Sequence, residues 1–469
     1  MPILSLVTVA QTTHAVLGGC GGTVPERVLS ATPSDYLSIL PTLQPGDLLE
    51  LGPGTYPDGL NLQGINGEPD RCVIIAGPSM GPPAVFTGRS CCNTVSLGNS
   101  SYLVIRNLTI DGGGELGDAV KAESTADWCH HITLENLTII NQDADQQIVA
   151  INTKCPTWNW VIRKNHINGA GTGLYLGDSN GEDEFANGLI EFNVITNTIG
   201  YNMQIKHQNG RAVGSPANGQ TIIRHNVFNK TDSSSTGGNA RPNLLVGHWP
   251  DSGPGANDIY LIYGNLFFGN PSENLFQGEG HIAFYQNLLV SSTGGAVAIQ
   301  PHNGVPKTIH LFQNTIVSAG TGIFVTGGDP GFSQLMVGNA VFSDNPLVGG
   351  TQMDNVTDDY DQAGTYLNNP FGDPVVGTLD LFPMAGVNSL PMDLSAMVGY
   401  EDWDLDFNAS PRPGTYRGAY AGDGVNPGWN PQIDTKCLLG SGIPDWELWP
   451  IQSILQLLLQ IGGQCLTPP

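Results

Sequence analysis

Positively charged side chains gather in one stretch of a chain that is otherwise strongly acidic. Residues 200–249 carry five cations and a single acid, Asp232, whereas the whole chain has a formal charge of −25. The five cations are Lys206, Arg211, Arg224, Lys230 and Arg241. An acidic protein that concentrates its cations in one place indicates a site for an anionic ligand there. The alternative interpretation is a set of solvated loop cations.

The residue types in this stretch suit removal of a proton next to a carboxylate, followed by loss of an oxygen leaving group. Such a β-elimination needs a base, a cation that neutralises the carboxylate, and a proton donor for the leaving oxygen. Lys206 among other cations would have a lowered pKa and could act as a neutral base. Arg211 or Arg241 could hold the carboxylate through two hydrogen bonds. His207 or His248 could be the acid or an alternative base.

Three further side chains of the stretch are candidates for contacting the ligand. Tyr201 and Trp249 could stack on sugar faces, and the alternatives are that Tyr201 lies in the core and that Trp249 anchors a turn. Arg224 could bind the anion, and its alternative is an ion pair with Glu191 one coil away.

A repeat from residue 101 onward supplies the elements that must position these side chains. Short apolar strands recur, and each is followed by an Asn, at spacings between 22 and 39 residues. The nine are Asn107, Asn136, Asn165, Asn193, Asn226, Asn265, Asn287, Asn314 and Asn339. One coil cannot bury its apolar face alone, whereas stacked coils share a core. The pattern predicts an all-β, right-handed parallel β-helix in which the Asn amides form a ladder at the bend.

The two longest coils carry their extra residues, 211–220 and 230–241, inside the cationic stretch. Insertions in a solenoid become loops on one face, which is often the binding face. A second strand follows each turn, and we align these strands on residues expected to point inward. These are Tyr175, Ile205, Val246, Phe276, Ile299 and Phe324. The alignment brings together, along one surface, Lys206, His207, Gln208, His248, Gln277, Glu279 and His302.

We expect no cofactor, with two metal sites as alternatives. His207, His248 and Glu279 come from neighbouring coils and match a ligand set that zinc accepts. Calcium, which prefers oxygen ligands, is the other alternative.

The ends of the chain are expected to lie outside the coil array. We expect residues 1–19 to be an export signal, 20–33 a tether, 34–425 the β-helix with a helical cap over 34–40, and 426–469 a closing tail. Residues 402–420 are predicted to form a final strand and turn, and 451–461 an amphipathic helix. Leu17-Gly18-Gly19-Cys20 resembles a bacterial lipobox with a lipidated Cys20, and the alternative is a disulfide at Cys20.

Cysteine usage and composition indicate an exported protein that does not bind nucleic acid. In an exported chain we expect Cys437 to pair with Cys465 and Cys129 with Cys155. A pI near 4.4 argues against nucleic-acid binding. We expect a monomer that is secreted, periplasmic or on the outer surface after bacterial-type export, and that meets a membrane only through a lipid on Cys20.

Over roughly residues 40–345 the chain resembles the alginate lyase and chondroitinase B family of polysaccharide lyases. The resemblance rests on the segment GDLLELGPGTY, the Asn ladder, and Gln204-Ile205-Lys206 followed by IIRHNVF. It implies an anionic, uronate-containing polysaccharide as substrate and Lys206 as the base. The family's assisting Arg on the next coil is missing, because Gly247-His248 stands there. The family's calcium carboxylates correspond to Asn202 and Gln204.

Three other activities are compared with this interpretation. A non-catalytic glycan-binding or adhesion β-helix is favoured by the missing Arg and carboxylates. A uronan C5-epimerase is suggested by Ile299-Gln300-Pro301-His302-Asn303, which resembles an epimerase DPHD motif with amides at both acid positions. A glycosidase is disfavoured, because Asp178 and Glu279 lie three coils apart, roughly 14 Å at one strand spacing per coil.

Overall fold

Successive turns of the chain stack as parallel strands on three faces in the computed structural model, which describes residues 20, 23–387 and 389–438. The predicted parallel β-helix is confirmed. The strands of face 1 are Arg27–Ala31, Asp47–Leu51, Val73–Ala76, Ser100–Arg106, Cys129–Glu135, Val161–Arg163, Leu189–Glu191, Gln220–Arg224, Ile259–Tyr263, Gly280–Tyr285, Pro306–Phe312, Gln334–Val337 and Thr351–Met353. The short strands Thr157–Trp158 and Phe185–Ala186 extend it.

Faces 2 and 3 belong to one continuous sheet that bends around the core. Face 2 consists of Gly54–Tyr56, Ala84–Thr87, Leu108–Asp111, Thr138–Gln142, His166–Ala170, Val194–Thr198, Val227–Asn229, Leu266–Phe268, Leu288–Ser291 and Val356–Asp358. Face 3 consists of Leu60–Gln63, Val95–Gly98, Val120–Ala122, Val149–Thr153, Thr172–Leu176, Met203–Ile205, Leu244–Val246, Phe276–Gly278 and Val297–Ile299. Two long strands, Thr315–Val325 and Ala340–Val348, cross both faces. Alternate residues point inward and build a single core along the axis.

The Asn ladder runs through the interior bend between faces 1 and 2. Asn193 accepts hydrogen bonds from the backbone N–H and the Nδ2 of Asn165, at 3.0 and 2.9 Å. The same pattern continues coil by coil to Asn339 and then to Asn355, which the repeat did not predict. Asn107 and Asn136 do not belong to it. They form a separate, more exposed pair at 2.8 Å, because Leu137 takes the position that faces Asn165.

The N-terminal part of the described chain belongs to the β-helix rather than to a tether. Residues 27–31, expected within the tether, pair with Asp47–Leu51 in face 1. The helical cap is one short α-helix, Tyr36–Ile39, followed by a 3-10 turn, Leu40–Thr42. Tyr36 is fully buried and packs edge-on against Tyr56 and Phe86.

The cysteine pairing confirms the disulfide alternative at Cys20 and contradicts the expected Cys129–Cys155 bond. Cys20 forms a disulfide with Cys72, so its sulfur is not available for a lipid. Cys129 and Cys155 are free, buried thiols that contact each other, and are not a disulfide. Two exposed neighbours, Cys91 and Cys92, are bonded to each other. Cys437 is disulfide-bonded, but Cys465 lies outside the described residues and that pairing stays a prediction.

After residue 358 the chain returns along the outside of the coils. It contains the antiparallel pair Leu367–Asn369 and Asp380–Pro383, and the 3-10 turns Tyr360–Thr365 and Ser395–Met397. Another 3-10 turn, Gly237–Asn239, lies in the second insertion. Residues 402–420, predicted as a strand and turn, contain turns and isolated bridges instead of a strand. The predicted helix over 451–461 lies outside the described residues.

The returning segment packs a second apolar cluster against face 2. Phe407 and Tyr420 contribute to it from the segment, and Leu266 and Val317 from the coils. The ammonium of Lys436 lies 3.3 Å above the ring of Phe407 and donates to the Gly264 carbonyl at 2.8 Å. No helix within the described part of the chain is long and apolar enough to cross a membrane.

Candidate functional site

A polar groove of about 560 Å³ lies on the outside of face 3, at the middle of the solenoid. Its floor consists of outward-pointing residues of successive strands. Strand register places Lys121 beside Asn152, Asn152 beside Tyr175, and Tyr175 beside Gln204. Its walls come from loops that contribute Gln146, Tyr201, Arg241 and His302.

The groove is strongly cationic, although the chain as a whole is acidic. Four basic side chains line it, and Asp118 is the single acid among the lining residues. The four are Lys121, Lys154, Lys206 and Arg241. Asp118 is itself neutralised, because Lys121 approaches it at 3.1 Å and Asn152 donates to it at 2.8 Å. The local field therefore favours a ligand that carries several negative charges.

Lys206 follows directly on the strand Met203–Ile205 and projects from the groove floor. No hydrogen bond or ion pair to its ammonium is found within the described ranges of the chain. Burial lowers the pKa of Lys206, and the charges of Glu279 and Asp178 oppose this only in part. Gly177 on the preceding coil lies next to it, with φ +89°, so the floor beside Lys206 carries no side chain.

Lys154 lies on the other side of Gly177 and is held more firmly than Lys206. Its ammonium stands 3.9 Å above the centre of the Tyr175 ring, 3.3 Å from Ser179 Oγ and 3.9 Å from Asp178 Oδ1. Burial lowers the pKa of Lys154 to about 8. The Tyr175 hydroxyl also contacts Ser179 Oγ, at 3.1 Å. The four residues form one hydrogen-bonded group at the edge of the groove.

Arg241 and Tyr201 form the opposite wall of the groove. The Arg241 guanidinium carbon lies 5.8 Å from the centre of the Tyr201 ring, and Nη1 donates to the carbonyls of Gly238 and Ala240. The loop that carries Arg241 is anchored from within, because the buried Lys230 donates to the Arg241 carbonyl at 2.7 Å. Tyr201 is therefore a groove residue, as expected, and the core alternative does not apply to it.

The two histidines next to Lys206 do not line the groove. His207 and His248 stack on each other with ring centres 5.4 Å apart, and His248 Nδ1 donates to the Trp249 carbonyl at 2.7 Å. Burial and then the charge of Lys206 lower the pKa of His207. His302, in contrast, is exposed and lines the groove. Of the three expected histidines, only His302 can face a ligand there.

Three predicted binding residues are structural instead. Arg211 forms a buried ion pair with Asp258 at 2.5 Å, so its guanidinium cannot hold a substrate carboxylate. Gln208 is fully buried and donates to the Phe185 carbonyl at 2.9 Å. Trp249 is 1% exposed and stacks on Tyr260 in the core, as its turn-anchor alternative implied.

Arg224 is also structural and lies on face 1, away from the groove. It donates to Glu191 at 2.8 Å, as its alternative stated, and also to Glu401 in the returning segment at 2.6 Å. Gln277 points outward beyond Leu245 and donates to Glu273, so it does not reach the groove either.

Glu279 holds a turn in place and is not available to a metal. Its carboxylate accepts the backbone N–H groups of His302, Asn303 and Gly304 at 2.8–3.2 Å, and that of His248 at 3.3 Å. The alternative zinc set of His207, His248 and Glu279 therefore does not fit the metal. Across the described residues, no three His, Cys, Asp or Glu side chains form a cluster that could hold one.

The two positions that correspond to calcium carboxylates do not form a calcium site. Asn202 is fully buried, and its Nδ2 donates inward to Thr198 Oγ1 and to the Ile195 and Asn229 carbonyls. Gln204 lines the groove but carries a neutral amide. Calcium prefers several carboxylate and carbonyl oxygens together, which these residues do not provide.

The alignment of second strands was wrong by one residue at Tyr175 and Phe324, and by two residues at Phe276. The inward row is Leu176, Ile205, Val246, Gly278, Ile299 and Val325. Tyr175 therefore points outward, onto the groove floor. Because the alignment began at Tyr175, it left out Lys121, Asn152 and Lys154. Extending it back by one coil would have found Asn152 and Lys154 in Ile151-Asn152-Thr153-Lys154, and a second coil would have found Lys121 in Val120-Lys121-Ala122.

The sequence matches no known family model and no curated protein. Comparison of the folds gives similarity to several solved enzymes. A GH136 lacto-N-biosidase from Eubacterium ramulus has a TM-score of 0.47 at 12% identity, covering 71% of this chain and 67% of that chain. An alginate lyase from Paenibacillus sp. has a TM-score of 0.34 at 16% identity, and the match covers 71% of this chain and 98% of the lyase. The pectate lyase Pel9A has a TM-score of 0.38 at 10% identity, and the match covers 89% of this chain and 98% of Pel9A.

Proposed function

We propose that this protein is an exported polysaccharide lyase that cleaves a uronate-containing glycan by β-elimination, with Lys206 as the base. The observation that carries the proposal is the position of Lys206. It lies on the floor of a cationic groove, half-buried, with no hydrogen bond or ion pair to another described residue and with its pKa lowered by burial. A neutral amine in that position can accept the proton at C5 of a uronate.

The remaining cations of the groove supply the charge that the reaction needs. Removing the C5 proton places negative charge on the neighbouring carboxylate, and a fixed cation stabilises that charge. Arg241 offers the part of its guanidinium that does not bond the loop carbonyls, whereas Lys121 is already paired with Asp118. No step of the proposal passes through a metal ion.

The test is ultraviolet absorbance of the purified protein with alginate, pectate, chondroitin, hyaluronan and glucuronan. Elimination leaves a double bond conjugated to the carboxylate, which absorbs in the ultraviolet, whereas hydrolysis, epimerisation and binding leave none. We expect absorbance to rise with one polymer and the Lys206→Ala variant to lose at least about 100-fold in rate, the lower end of what a general base contributes. His207→Ala is the matched control and should lose much less, because its ring does not line the groove.

A non-catalytic glycan-binding β-helix is the second candidate. Gly247 stands where the resembling family has an assisting Arg, and Asn202 and Gln204 stand where it has carboxylates. Retention of the protein on one of the same polymers, with no absorbance and no change in the polymer, would favour it.

A C5-epimerase would exchange the C5 proton with deuterium from heavy water without forming the double bond. Nuclear magnetic resonance of the recovered polymer therefore distinguishes an epimerase from a binding protein.

A further inference from the structure

The proposed base leaves one role unfilled, because β-elimination also needs a proton for the leaving oxygen. Neither His207 nor His248 lines the groove, and the guanidinium of Arg211 is buried against Asp258. Among the described residues that line the groove, Tyr201 carries a phenol on the wall and Tyr175 carries one on the floor. Tyr175 pairs in register with Gln204, two residues before Lys206. From the spacings of a parallel sheet, the Cα atoms of Tyr175 and Lys206 lie roughly 8 Å apart, on the same outward face.

We propose that Tyr175 is the proton donor of the reaction, and that Lys154 resupplies its proton through the Ser179 hydroxyl. The proposal rests on the proposed lyase function. The three groups form a continuous chain, since Lys154 Nζ lies 3.3 Å from Ser179 Oγ and Ser179 Oγ lies 3.1 Å from the Tyr175 hydroxyl. Ser179 is exposed, so the chain connects the groove with solvent.

The position of Gly177 makes room for a sugar ring between the acid and the base. Gly177 lies between Lys154 and Lys206 in the stack and has a positive φ that side-chain-bearing residues rarely adopt. The floor is therefore open between the two lysines, while Tyr175 flanks the gap. A uronate seated over Gly177 would present one edge to Lys206 and the other to Tyr175.

The step balances without any further reagent. Lys206 Nζ takes the C5 proton, and the C5–H electron pair becomes the C4–C5 double bond. The C4–O bond breaks, its electron pair goes to the oxygen, and Tyr175 protonates that oxygen. Ser179 then returns a proton to the phenolate and receives one from Lys154, while water reprotonates Lys154 and takes the extra proton of Lys206.

The charges around Lys154 define the pH range in which it can donate. Asp178 and Asp118 face it and favour its charged form, whereas Lys121 and Lys206 oppose it. Burial is the largest effect, and the resulting pKa is about 8. The ammonium is therefore present below pH 8 and lost above it, so the supply of protons should fail as pH rises through that value. Burial raises the pKa of Tyr175 above its ordinary value, so the phenol keeps its proton across this range.

The experiment measures the activity of the Tyr175→Phe variant, which lacks only the hydroxyl, on two substrates. One substrate is the polymer that the wild-type protein cleaves, and the other is a short oligosaccharide of the same uronate with fluorine at C4, whose departing fluoride needs no proton. We expect Tyr175→Phe to lose at least about 100-fold in kcat on the polymer. It should release fluoride within about threefold of wild type. Lys206→Ala should lose both activities, and Tyr360→Phe, in the returning segment outside the groove, should keep both.

Lys154→Met and Ser179→Ala test the supply of protons. Both should lower kcat on the polymer with little change in KM, and Lys154→Met should remove the fall in activity near pH 8. The assignment of Tyr175 would be overturned if Tyr175→Phe lost activity equally on both substrates, or if it cleaved the polymer at the wild-type rate. Either result would leave the lyase function standing. A wild-type protein that cleaves none of the polymers would instead overturn both. Thermal unfolding of each variant verifies that it is folded.

Discussion

Arg211 and Arg241 have the same charge, but the structure gives them different tasks. Both side chains of the Arg211–Asp258 pair are 2% exposed, and Asp258 also accepts the Gly219 N–H at 2.8 Å. Arg211→Ala should lower the free energy of unfolding by about 3–5 kcal/mol, because it leaves a buried carboxylate without its partner. Urea unfolding followed by circular dichroism measures this. A loss below about 1 kcal/mol would contradict the structural role.

Arg241→Ala should have the opposite pattern and leave stability almost unchanged. Its side chain bonds only carbonyls of its own loop and packs on Tyr201, at the open wall of the groove. Loss of a charge-assisted contact to a carboxylate should weaken binding of the polymer by roughly tenfold or more. Isothermal titration of the polymer into an inactive Lys206→Ala background separates binding from turnover. Wild-type affinity in the double variant would remove Arg241 from the site.

Within the coils, the interior Asn ladder has a testable energetic role. Asn265 donates to three acceptors, the Ile223 and Tyr263 carbonyls and Asn287 Oδ1, and accepts two bonds from Asn226. Asn265→Ala should cost about 3 kcal/mol or more, since several buried groups lose their partners at once. Asn136→Gly is the control, because Asn136 is exposed with φ +53° and its loss should cost about 1 kcal/mol or less. Urea unfolding of the two variants should differ accordingly.

The same ladder explains which strands could be predicted from the sequence. On face 1 an Asn follows within two residues of the end of each strand from Ser100–Arg106 onward, so the positions of these strands follow from the sequence alone. The second strands on face 3 have no such marker, and alternation by itself allows a slip of one residue. That slip turned Tyr175 inward in the prediction, and Lys154 was left out because the alignment began one coil after it. Arg211 could not be assigned either, because its partner Asp258 lies 47 residues away across an insertion.

For the molecule as a whole, the Cys20–Cys72 disulfide should contribute more to stability than its surface position suggests. It closes a loop with a sequence separation of 52, whereas Cys91–Cys92 closes none. The loop-closure relation gives roughly 4 kcal/mol for Cys20→Ser and almost nothing for Cys91→Ser. Unfolding both variants in urea under oxidising conditions measures the difference. Equal midpoints would show that the first coil is held by packing alone.

The returning C-terminal segment has a consequence for the order of folding. Each ladder contact joins residues between 16 and 39 positions apart. Packing a coil onto the preceding coil therefore requires only a short loop closure. Glu401 instead meets Arg224 at a separation of 177, and Thr435 meets His166 at a separation of 269. We therefore expect the coils to fold in chain order, quickly for an all-β protein, and the segment to dock last against a surface that already exists.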